Sequence, residues 1–204
     1  MKKTNVLVFP CGAENALCII EALRYNLHFE VFGATNRKDH SEYVLDRNHL
    51  SIDDYDIHSD TFLDLINRFI DSNNIEYIIP THDEIIMYLV ESQEKLHATV
   101  VASPAETCKI AFSKIDTFKR LKGASYLPKE YSRIDKRINF PVFIKPNHGA
   151  GGKGAKIVEN LEELNNIDDL SSYLVTEYLP GDEYTVDCFT NNKGKLLFIG
   201  PRSR

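Results

Sequence analysis

The sequence predicts an α/β protein: an open parallel sheet with helices on both faces over roughly the first hundred residues, then an α+β segment in which strands dominate. Three observations carry that expectation. Short apolar runs alternate with helix-spaced apolar residues as far as residue 102. Ser103-Pro104 then punctuates the chain as a domain boundary or a helix start would. Beyond it the texture changes, and strands flank a glycine-rich stretch at residues 148–154.

Taken in order, residues 5–10 (NVLVFP) form an apolar run ended by Pro-Cys-Gly, the pattern of a buried parallel strand. Ala16, Leu17, Ile20 and Leu23 then recur at helical spacing, and residues 29–34 (FEVFGA) give the next strand. This is a β-α-β unit, whose crossover is right-handed in nearly all cases. Phe62, Leu65, Ile66, Phe69 and Ile70 mark a second helix, residues 76–80 (EYIIP) a strand, residues 84–91 a helix and residues 99–102 (TVVA) a short strand. Two short helices are expected at 105–111 and 115–121. Strands follow at 140–146 (FPVFIKP) and 156–158, with a short helix at 161–165. Further strands are expected at 173–179, 183–190 and 196–199, the last two joined by a turn at 191–194. The domains so delimited are 1–103, 104–175 and 176–204.

Composition narrows the function. Hydrophobic residues make up 43% of the 204 and charged residues 26%, the proportions of a chain that folds. A net charge of -6 provides no broad basic surface, which argues against a nucleic-acid partner, so any bound anion must be held locally. No apolar run approaches the roughly 20 residues that span a bilayer, which argues against membrane insertion. Cys11, Cys18, Cys108 and Cys188 lack metal-ligand spacing, and no signal peptide precedes them. They read as reduced thiols, each a small buried hydrophobe, in a cytoplasmic protein. The histidines show no zinc-like pairing and read as surface or capping residues.

The strongest local signal is Lys145, at the end of an apolar strand, followed by Pro146, Asn147 and His148 and by Gly149, Gly151, Gly152, Lys153 and Gly154. Four glycines in six residues let the backbone approach a ligand closely and line an anion with N–H groups. Lys145 and Lys153 would supply point charges for a polyphosphate. The competing reading is a hairpin tip with solvated lysines. No Gly-Lys-Ser/Thr opens a helix here, so this is not a Walker loop. Lys114 lies upstream at a helix start, and Glu177 and Glu183 lie downstream on either side of Pro180-Gly181.

In that order of residues the chain resembles the ATP-grasp superfamily, and more closely its carbamoyl-phosphate-synthase-like and pyrrolysine-biosynthesis-ligase-like branches. The resemblance covers the whole chain. It implies a Rossmann-like pre-ATP-grasp domain followed by the N-terminal, lid-bearing part of an ATP-grasp domain and the start of its C-terminal part. It further implies that Lys114 and Lys145 contact ATP phosphates and that residues 149–154 fold over them. Glu177, Tyr178 and Leu179 would form the hinge beside adenine, with backbone groups of Glu177 and Leu179 reading its edge, and Glu183 would accept from the ribose hydroxyls. Many relatives read Asp-Lys where this chain has Ser113-Lys114. An Arg-x-Arg such as Arg202 and Arg204 often lies near the acyl substrate in relatives, although a terminal basic pair is usually solvated.

The implied reaction is ATP-dependent activation of a small-molecule carboxylate as an acyl phosphate, then attack by an amine or another nucleophile. The resemblance implies Mg²⁺ held by acidic and Asn side chains beyond Arg204, Asp187 alone being insufficient, and hence a piece of a longer ligase that is inactive by itself. A non-catalytic ATP-binding or regulatory module is the alternative. The carboxyl-end loops at residues 80–84 (PTHDE) and 10–14 (PCGAE) would face a ligand crevice, with helix capping by Thr81 or Asp83 as the competing explanation for the first. A lone glycine after the first strand falls short of a dinucleotide fingerprint, and NAD is not expected. No residue fixes the oligomeric state, although the sheet edge near Leu196 to Ile199 could pair with another copy of the chain as a homodimer.

Overall fold

The computed structural model describes residues 2–132, 137–149, 151–191 and 193–203. They divide into two compact units, Met1–Thr117 and Phe118–Arg204.

The first unit is built on β1 (Thr4–Phe9), β2 (Phe29–Thr35), β3 (Leu50–Ile52), β4 (Ile75–Pro80) and β5 (Thr99–Val100), in the order β3-β2-β1-β4-β5. All four pairings are parallel. Helices α1 (Glu14–Leu23), α2 (Phe62–Ser72), α3 (Asp83–Glu91) and α4 (Ala105–Phe112) complete it. The two-residue period of a strand sends successive side chains to opposite faces, and β1 uses both. Leu7 and Phe9 pack with Phe62, Ile66 and Ile70 of α2 and Leu89 of α3, whereas Val8 packs with Ala16 and Ile20 of α1. The open parallel sheet with helices on both faces is therefore the one the alternation of patterns predicts. Strand β3 was not foreseen: three residues, Leu-Ser-Ile, give too short a run to register as a period.

The second unit holds β6 (Val142–Pro146), β7 (Lys156–Val158), α6 (Leu161–Asn165) and β8 (Tyr173–Glu177), with an antiparallel sheet ordered β7-β6-β8. Val142, Ile144, Val158, Leu164, Leu170 and Val175 form its core. Strands β9 (Tyr184–Thr190) and β10 (Leu196–Ser203) make a separate two-stranded sheet. Asn191 organises its turn by accepting the N–H groups of Lys193 and Lys195 at Oδ1, while Asn192 lies outside the described residues. Helix α5 (Lys114–Arg120) carries the chain across the division at residue 117.

Candidate functional site

Strand β6 delivers Lys145 to the mouth of the glycine-rich stretch. Its buried neighbours Val142 and Ile144 face the core, so the pleat turns Lys145 to the opposite face, where its Nζ sits 5.7 Å from the centroid of the Phe118 ring. The side chain is half-buried, and the cation is thus held in a defined place rather than left on a free stem. After Pro146 the backbone turns through Gly149, Gly151, Gly152 and Gly154, with φ of +119°, +67°, +70° and +75°. L side chains are strained in that region, which is why glycine recurs. A Cβ at Gly154 would also meet Pro146 Cγ at 2.9 Å. Gly149, Gly151, Gly152, Lys153 and Gly154 are exposed, and Ala150 lies outside the described residues.

The segment after β8 lies at the far end of the same sheet. Lys145 pairs with Leu174 and Val142 with Glu177, so the two candidate positions are three residues apart along β8, about 10 Å at strand rise. That is of the order of the span from a purine base to the phosphates of a nucleoside triphosphate. Register also separates the side chains. Glu177 shares the face of Val142, Ile144 and Val175, opposite Lys145, so the carboxylate and the ammonium group leave the sheet on different faces.

Glu177 is instead tied to the segment at residues 129–131, which flanks β8 on the side away from β6. Tyr131 N–H donates to Val175 O at 3.0 Å, Glu177 N–H donates to Lys129 O at 2.8 Å, and Lys129 N–H donates to Glu177 Oε1 at 2.7 Å. The Glu177 amide is therefore engaged within the protein. Tyr178, Leu179 and Glu183 are exposed. The contribution of residues 127–131 was not foreseen; the one sequence signal was Leu127-Pro128, a dipeptide that favours extended backbone.

Lys114 opens α5 and is half-buried. Ser113, buried just before it, accepts Asp116 N–H at Oγ, 3.1 Å. The serine thus performs the N-cap role for which aspartate is equally suited, a physical reason why Ser-Lys can stand where Asp-Lys is common.

At the carboxyl edge of the parallel sheet, Thr81 does not cap α3. The N-cap is His82, without a side-chain cap bond, while Thr81 Oγ1 donates to Pro10 O at 2.6 Å and Asn15 Nδ2 donates to Thr81 O at 2.6 Å. These bonds join the loop after β1 and the start of α1 to the loop after β4. Asp39 crosses beneath the loop after β1, its carboxylate lying where a Cβ on Gly12 would stand, 1.8 Å from that position. Oδ1 accepts from Ser41 N at 2.9 Å and Ser41 Oγ at 2.6 Å, and Oδ2 accepts from Thr35 Oγ1 at 2.9 Å. Burial opposes ionisation of Asp39, but the Ser41 and Thr35 bonds outweigh it and hold the carboxyl below the usual carboxylate range. Of the four cysteines only Cys11 is buried, which corrects the expectation for the others: Cys18 and Cys188 are exposed and Cys108 is intermediate.

Asp187 accepts from Arg202 Nε at 2.9 Å in an exposed pair, and Arg204 lies outside the described residues. Among the described residues no group of three or more His, Cys, Asp or Glu side chains is placed to hold a metal ion, and no metal step is assigned to them. Nor, among those residues, is any helix long and apolar enough to cross a membrane.

Residues 111–203 match the ATP-grasp domain family. Over 116 residues, half of this chain, the sequence is 30% identical to a D-alanine–D-alanine ligase of Thermotoga maritima, of which the match covers 38%. A carbamoyl-phosphate synthase of Methanobrevibacter smithii is 22% identical over 144 residues, 64% of this chain and 39% of that protein. The chain thus spans about two fifths of the length of these curated relatives. Among solved structures, an L-amino acid ligase from Bacillus licheniformis superposes with a TM-score of 0.71 at 15% identity, covering 99% of this chain and 51% of that one, a likeness of fold.

Proposed function

With an ATP-grasp domain over residues 111–203 as premise, we propose that this chain is the ATP-binding portion of a ligase that activates a small-molecule carboxylate as an acyl phosphate for attack by an amine or another nucleophile. The observation that carries the reading is the β6/β8 register, with a half-buried lysine and a glycine turn at one end and an extended segment at the other. In this reading the Glu177 carbonyl accepts from the adenine amino group, the Leu179 N–H donates to the adjacent ring nitrogen, and Tyr178 lies between them. Glu183 accepts from the ribose. Lys145 and Lys153 neutralise phosphate oxygens, Lys114 contributes a further ammonium charge, and residues 149–154 fold over the phosphates and exclude water. ATP is taken up with Mg²⁺, whose acidic ligands are not assigned among these residues.

Residues 1–204 by themselves are proposed to hold nucleotide without completing the transfer, and the protein is proposed to work in the cytoplasm. A second copy of the chain is proposed as the partner of β10, whose Leu196, Leu197, Phe198 and Ile199 are exposed.

Calorimetric titration with ATP and Mg²⁺ tests the reading. Lys145→Ala is expected to weaken binding about 10- to 100-fold, the value of a charge-assisted hydrogen bond. Equal affinity in wild type and variant contradicts it.

A further inference from the structure

Residues 129–131 and β8 share a single antiparallel bridge, Glu130 opposite Thr176, closed by Tyr131 N–H to Val175 O and Glu177 N–H to Lys129 O. Opposed residues such as Lys129 and Glu177 ordinarily exchange two backbone bonds, each N–H donating to the other's carbonyl. Here only half of the exchange is made. Glu177 N–H donates to Lys129 O at 2.8 Å, but Lys129 N–H donates to the side-chain oxygen Glu177 Oε1 at 2.7 Å.

The Glu177 carbonyl points to the same side of its strand as its own N–H, toward the flanking segment. With the Lys129 N–H drawn to Oε1, that carbonyl has no backbone donor among the described residues of the segment. The next positions offer none either: Pro128 has no N–H, and Leu127 N–H donates to Ala124 O at 3.2 Å. The ladder is thereby stopped at the residue where an extended backbone would otherwise be fully paired. A carboxylate is well suited to this diversion, because a charged acceptor outcompetes a neutral carbonyl for the same N–H.

We propose that the Glu177 carboxylate is a positioning group: by accepting the Lys129 N–H it keeps that donor from the Glu177 carbonyl and reserves the carbonyl oxygen for the exocyclic amino group of adenine. This rests on the nucleotide reading above. It gives the side chain a part in base selection without contact to the base. Leu179 N–H, two residues on and on the same side of an extended chain, would complete an acceptor–donor pair matching adenine's amino group and ring nitrogen.

The test compares ATP with purine riboside triphosphate, which lacks the 6-amino group, by calorimetry on wild type, Glu177→Ala, Glu177→Gln and the double variant Lys129→Pro/Glu177→Ala. Wild type is expected to prefer ATP by about tenfold. In Glu177→Ala the Lys129 N–H returns to the carbonyl, so the preference collapses toward unity. Glu177→Gln, which retains an oxygen acceptor, keeps the preference. The double variant, which deletes the competing N–H, regains it. A merely structural role for Glu177 would weaken both nucleotides alike. Unchanged preference in Glu177→Ala, or loss of preference in Glu177→Gln, overturns the proposal. Should Glu177→Ala not fold, Glu177→Gln still decides, since it must discriminate as wild type does. Failure of wild type to bind either nucleotide overturns the nucleotide reading instead.

Discussion

At Asp39 two opposing effects meet on one carboxyl group. Burial favours the neutral form, three hydrogen bonds from Ser41 and Thr35 favour the ionised one, and the bonds win. A carboxyl whose folded-state value lies below its unfolded one adds stability that is present above the unfolded pKa and is lost as pH falls through the folded one. Asp39→Ala is therefore expected to cost about 1–2 kcal/mol at pH 7. In denaturant melts the gap to wild type should narrow as pH drops below about 4. A gap constant with pH would contradict the assignment. Cys11 shows the reverse balance: burial pushes its thiol up to about 11, the bond with Ser41 opposes this, and the nearby Asp39 charge adds to the rise. Native-state titration with a thiol reagent at pH 8 is expected to modify exposed Cys18 and Cys188 readily and to leave Cys11 intact until the protein unfolds. Neither feature was legible beforehand. Thr35, Asp39 and Ser41 lie within seven residues, but only the return of β2 beside β1 brings Cys11 and Gly12 to them.

Among the elements, those with a strong period were legible and those defined by a partner were not. Helix α2 places Phe62, Ile66 and Ile70 one turn apart on a single buried face, a pattern visible in the sequence and kept in the fold. Strand β1, apolar throughout, likewise had to be buried on both faces. Strand β3 exists only because Leu50, Ser51 and Ile52 lie beside Gly33, Ala34 and Thr35, a relation no local pattern records. The same holds for the segment at 129–131, whose extended form depends on β8. Strand β2 carries a further constraint. A Cβ on Gly33 would stand 2.4 Å from Leu45 Cδ1 and 2.9 Å from Cys11 Cβ, so β2 lets the loop after β1 approach only where a side chain is missing. Gly33→Ala is expected to destabilise the protein by about 1–3 kcal/mol through overpacking, read as a lower denaturation midpoint at unchanged slope. A midpoint equal to that of wild type would show that the contact relaxes freely.

For the whole molecule, the order of motifs carried more than any single motif. Lys114, Lys145, the four glycines, the segment at 177–179 and Glu183 were read as one series, and the family match over residues 111–203 falls on the same stretch. Sequence could not reveal that the Glu177 amide and carboxylate are both committed to Lys129, because that pairing depends on two strands that are distant in the chain. In the proposed reading ATP lies along β6 and β8, phosphates toward Lys145 and base toward Leu179. Amide hydrogen exchange with and without ATP and Mg²⁺ tests it most directly. Slower exchange is expected in peptides covering residues 145–156 and 177–183, with little change around residues 10–15 and 81–84. Protection confined to the loops after β1 and β4, with none at either end of β6 and β8, would contradict it.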